Sequence, residues 1–146
     1  MSVKLDAKQM KAELVAAGIE VYRTRTEEVQ VAERVRLHIM DSGIRVHVTD
    51  PACVTFTVRQ QRSEFPDAAP ESLFERARRE VGRIATARGY EETHAGSVEV
   101  MDPMDAARVL DVWHEVSYRK PVDGSAMAVD EVRWALSIER FLGRSE

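Results

Sequence analysis

The side chains of this sequence best suited to chemistry are four histidines and one cysteine, and their spacing decides what they can do. His38 and His47 bracket Asp41-Ser42-Gly43-Ile44, a stretch that reads as the turn of a β-hairpin. A two-residue turn at Ser42-Gly43 sets Leu37 against Val48 and Ile39 against Val46, with Val35 and Ile44 on the same face. His38 then faces His47 on the opposite side of the ribbon, where cross-strand Cβ atoms stand about 5 Å apart. Two imidazoles at that separation could reach one metal ion. The same face carries Arg34, Arg36 and Arg45, however, and guanidinium groups repel cations. Arg36, His38, Arg45 and His47 are therefore a candidate site for a small anionic ligand or an acidic partner, and no metal is expected. Reading RNA on such a sheet would require exposed aromatic rings for base stacking, and this face has none.

Other constellations are incomplete. Glu91, Glu92, His94 and Glu99 surround Ala95-Gly96, and a hairpin turning there would oppose Glu92 and Glu99, a like-charge pair. One bent strand is the simpler reading and never forms that pair. Trp113-His114-Glu115 invites comparison with zinc-protease helices, but Tyr118 stands where the second histidine is needed. Cys53 is the only cysteine, so an intrachain disulfide is impossible, and a nucleophilic role would need a basic neighbour such as His47. A small inert residue is the ordinary alternative. There is no glycine-rich phosphate loop or serine elbow, so no catalytic residue and no cofactor is expected.

The elements that must position these residues follow from periodicity. Leu5 to Ala17 reads as a helix closed by Gly18. Ile19 to Arg23 alternates, as does the run through Val29, Val31, Val35, Leu37 and Ile39, for which a helix over Thr26 to Arg36 is the competing assignment. Cys53 to Gln60 supplies a further strand, completing an antiparallel meander. Pro70 opens a middle helix with Leu73, Phe74, Ala77, Val81 and Ile84 as its stripe. Tyr90 to Met101 reads as one or two strands. Asp102-Pro103-Met104-Asp105 has the signature of a helix start, followed by Val109, Leu110, Trp113 and Val116 at helical spacing. A last helix is expected from Ser125 to Leu142. The fold class is thus α+β: an antiparallel sheet, a meander plus one or two further strands, packed by an N-terminal helix, a middle helix and two C-terminal helices. One domain spanning 1–146 is expected.

The last helix carries the strongest interaction signal. Val132, Ala135, Leu136 and Leu142 make one apolar stripe, and Trp134, Ile138 and Phe141 make a second. Two stripes cover more circumference than one-sided packing needs, so Trp134, Ile138 and Phe141 are candidate interface residues. The net charge of −4 argues against electrostatic nucleic-acid binding. The sequence has no apolar run of membrane-spanning length and its N-terminus lacks a secretory core, so a cytoplasmic protein is expected.

In element order, length and acidity the layout resembles small acidic secretion chaperones, compact α/β homodimers that hold an unfolded stretch of a client. No residue motif accompanies that resemblance, and the extra meander strand and the final helix depart from it. The expected function is a non-catalytic partner-binding protein of adaptor, chaperone-like or toxin-neutralising type, working as a homodimer with a protein partner. The alternative is an enzyme or small anionic-ligand binder using the polar sheet face around His38 and His47.

Overall fold

The structure, a computed structural model, describes residues 3–49 and 51–143. Helix α1 (Ala7–Ala16) starts where the Asp6 carboxylate accepts the Gln9 amide at 2.9 Å, and it buries Ala7, Met10 and Leu14. Six strands follow: β1 (Val21–Thr24), β2 (Glu28–Val35), β3 (His38–His47), β4 (Cys53–Gln61), β5 (Glu91–Asp102) and β6 (Asp105–Pro121). They form an antiparallel sheet in the order β1-β2-β3-β4-β6-β5. Between β4 and β5 lies helix α2, built of an α segment (Pro70–Ala77), a π segment (Arg78–Gly82) and a second α segment (Arg83–Ala87). Helix α3 (Ser125–Ser137) is the last.

Three helices therefore pack this sheet, not the four expected, because the segment read as the first C-terminal helix is strand β6. Asp102 does accept a nearby amide, that of Met104 at 2.8 Å, but it does so inside a two-residue hairpin turn at Pro103-Met104. An aspartate followed by proline serves a turn as readily as a helix start. Downstream, Val112, His114, Val116 and Tyr118 alternate, and the last three are buried; this strand period competes with the helical one and prevails.

The meander also turns elsewhere than expected. β2 and β3 join at Arg36-Leu37, with Val35 opposite His38, Arg34 opposite Ile39 and Glu33 opposite Met40. Asp41-Ser42-Gly43 instead forms a bulge inside β3. There Val31 alone, between Gln30 and Ala32, faces Ser42, Gly43 and Ile44. Gly43 takes φ 77°, the Asp41 carboxylate accepts its amide at 2.9 Å, and the buried Ser42 hydroxyl donates to the Val31 carbonyl at 2.6 Å. His38 and His47 consequently occupy the two ends of one strand and are not cross-strand neighbours.

The chain divides into two compact units, one of Met1–Phe56 with Arg119–Ile138 and one of Thr57–Tyr118 with Glu139–Glu146. The first has α1 and α3 against the inner face of its strands, burying Leu14, Val29, Ile44, Val46 and Phe56 with Val132 and Ala135. Its buried Glu131 accepts a charge-assisted bond from Lys120 at 2.8 Å. The second unit buries Leu73, Ala77, Val81 and Ala85 of α2, a regular spacing of four that the widened π turn produces. That spacing leaves Ile84, an expected stripe residue, exposed.

In the second unit Gly82 lies against the buried Tyr118, whose burial pushes its phenol up to about 12. A Cβ at residue 82 would stand 2.6 Å from the Tyr118 hydroxyl oxygen and 3.5 Å from its Cζ. Gly82→Ala should therefore destabilise by about 1–3 kcal/mol through overpacking, less the ~0.5–1 kcal/mol that alanine contributes in a helix. In a Tyr118→Phe background the clashing atom is gone, and the same alanine should be neutral or stabilising. Denaturant melts of the four-member cycle check this; an equal cost in both backgrounds contradicts the contact.

Candidate functional site

Arg36 and Leu37 form the turn of the β2–β3 hairpin and His38 opens β3, while Arg45 and His47 lie at its far end. At the rise of a strand, His38 and His47 are roughly 25–30 Å apart. The structure brings Arg45 and His47 together, without Arg36 or His38. His47 contacts the Thr55 hydroxyl at 3.1 Å and pairs across the ladders with Glu28 and Cys53. Arg45 is held by Asp41 at 3.1 Å and Glu28 at 3.8 Å. With Arg25, Thr26 and Glu27, His47 and Glu28 border an open depression of about 470 Å³. Two carboxylates already neutralise Arg45, which weakens this end as an anion site.

Cys53 is buried, and burial pushes its thiol above its ordinary range against the opposing field of Arg119. That is the reverse of what a nucleophile needs. His114, expected on a helix, is buried in β6, where its Nδ1 meets the Ser97 hydroxyl at 2.7 Å beside the edge of Phe74. Because β5 is one strand, Glu92 does not face Glu99; its carboxylate instead binds Arg78 at 2.8 and 2.9 Å. Among the described residues, no three His, Cys, Asp or Glu side chains converge as metal ligands would.

The two-stripe helix is also shorter than expected. Helix α3 stops at Ser137, whose hydroxyl donates to the Trp134 carbonyl at 2.6 Å, and Ile138 is extended. In the second unit the following residues add to β4: the Arg59 amide donates to Arg140 and the Leu142 amide to Arg59. Ile138 and Phe141 thus belong to no helical stripe. Trp134 is half-buried, edge-on to Phe56 at 5.8 Å, while Phe141 remains 42% exposed.

The most exposed apolar side chains lie instead at hairpin ends, where sequence periodicity did not place them. In the first unit Leu37 is 93% exposed, with Val35, Ile39 and Met40 about half exposed around it. In the second, Met104 is 92% exposed at the turn, with Met101, Val98 and Leu110 exposed further back along the two strands. Both ends are two-stranded ribbons with exposed residues along each strand, so neither has a core of its own. The sequence signal available was the turn position alone, and at Arg36-Leu37 no glycine, asparagine or proline marks it.

No family model, curated protein or solved structure matches this chain. No helix among the described residues is long and apolar enough to cross a membrane.

Burial holds His47 below its ordinary value of about 6.5, with Glu28 opposing and Arg45 and Arg119 reinforcing the shift. The unfolded chain then takes up the proton first on acidification. The contribution of His47 to stability is full above about pH 6.5 and is lost as pH falls through its folded value. An NMR titration should give His47 a midpoint below 6.5, and His47→Gln should flatten part of the acid slope of Tm. A midpoint at or above 6.5 contradicts this placement.

Proposed function

We propose that this chain is a non-catalytic partner-binding protein of adaptor, chaperone-like or toxin-neutralising type, acting in the cytoplasm as a homodimer. The observation that carries the reading is the exposure of Leu37 and Met104, each at the head of a ribbon with three further large apolar side chains. Covering a side chain of this size is worth about 1.5–3 kcal/mol, so a partner seated on either end gains several such increments. At the β2–β3 end Val35 and Met40 share one face of the ribbon close to the exposed Leu37, and neighbouring exposed apolar groups favour a protein contact over scattered surface residues, which need no explanation. The thiol of Cys53, held protonated, and the separation of His38 from His47 favour binding over chemistry. The reading of Trp134, Ile138 and Phe141 as one interface stripe gives way to the hairpin ends, because the helix that would align them ends at Ser137.

Leu37→Asp and Met104→Asp should leave Tm within a degree or two, since both side chains contact little, yet strip co-purifying protein from the tagged chain in native lysate. Loss of one defined band, present with wild type in a fixed ratio, is the expected result. Identical recovery of every band with wild type and both variants overturns the reading.

A further inference from the structure

We infer that the two kinds of hairpin end recognise each other between copies, the β2–β3 end of one copy seating on the β5–β6 end of a second. This rests on the partner-binding reading and names the occupant. The argument is charge. Counted to the Glu33–Met40 rung the β2–β3 end carries Arg34, Arg36 and His38 against the single acid Glu33, Arg34 being bridged to Glu20, and its tip from Val35 to His38 carries Arg36 and no acid. From Val98 to Leu110 the β5–β6 end carries Glu99, Asp102 and Asp105 against the single base Arg108. At its tip each end thus combines an exposed apolar side chain with an excess of one sign of charge, Arg36 beside Leu37 and Asp102 with Asp105 beside Met104, and the signs are opposite. Like ends would oppose Arg36 to Arg36 or acid to acid, so unlike pairing is the arrangement that covers the apolar groups without repulsion.

Arg36 supplies a second observation. Its φ of 59° is the left-handed conformation that residues with a Cβ rarely adopt. Glycine is the residue that this turn position would take for stability alone. A guanidinium kept there at conformational cost, at the most outlying point of a basic apolar end, fits a contact residue rather than a structural one.

The test uses the full chain and its own variants, by sedimentation velocity and light scattering over a concentration series. Wild type should self-associate, more weakly as salt rises. Arg36→Glu alone sets acid against acid, and Asp105→Arg alone sets base against base, so each should weaken self-association about tenfold or more. Mixed, the two variants regain opposite charges at both kinds of contact and should associate with each other as wild type does. Arg36→Gly should weaken association while raising Tm, which a merely structural residue would not do. A wild type that is monomeric at every concentration, variants that associate like wild type, or a mixture that stays apart overturns the inference. The partner-binding reading is judged separately: if Leu37→Asp still strips a foreign protein while wild type is monomeric, only the self-pairing fails.

Discussion

Between Gln30 and Ala32 the β2–β3 ladder must absorb two extra residues of β3, and the Ser42 hydroxyl is what lets it do so. It donates to the Val31 carbonyl, which the bulge would otherwise leave without its ladder partner, and accepts the Ile44 amide at 3.1 Å. Because the insertion is of two residues, the alternation of faces survives it. Ile44, Val46 and Val48 remain on the core side while Arg45 and His47 remain on the polar side. The same bulge releases the outer part of β3 to run on as a ribbon with β2, so the turn falls at Arg36-Leu37 and Leu37 is carried into water.

The β5–β6 hairpin reaches a comparable end by different means. Asp102 holds the Met104 amide and Asp105 holds that of Ala107, two side-chain caps that fix the turn and leave the Met104 side chain exposed. Nearer the core, the strand is anchored by Asp111, which accepts both the Ser63 amide and hydroxyl, and by the Arg59–Glu115 pair at 2.7 Å. Arg59 lies 4.1 Å over the Trp113 ring as well, so its position is set twice. Anchoring thus ends near Asp111, and what extends past it is stabilised by its own ladder and turn.

This contrast explains which features were legible in the sequence. The end of helix α1 was, because Gly18 closes it within one turn, whereas the expected start at Leu5 took in Asp6, which caps the helix from outside. So was the alternation of β4, whose Val54, Phe56 and Val58 are all buried. Asp41-Ser42-Gly43 and Asp102-Pro103 were not, because aspartate holding a nearby amide and glycine at positive φ serve a turn, a bulge or a helix start alike. The end of α3 was illegible for another reason: no residue type between Ser137 and Gly143 breaks a helix, and in the second unit Arg140 and Leu142 pair with Arg59, a partner far away in sequence. The candidate surface inherits both ambiguities. Leu37 looks like a core residue of an alternating strand until the turn is known, and Met104 like a first-turn helix residue.

Net charge misdirects in the same way. An overall charge of −4 describes an acidic protein and gives no hint of a basic surface, yet the residues from Arg34 to His38 are basic without exception among their ionisable side chains. Screening in salt limits a surface charge to neighbours within about 10 Å, so a partner meeting that ribbon senses its arginines and not the distant average. Charge therefore has to be read hairpin by hairpin, after the turns are located. Read so, the chain presents one basic and one acidic apolar end. The strain at Arg36 then follows from function: glycine would relax the turn but would remove the outermost cation from the one basic end.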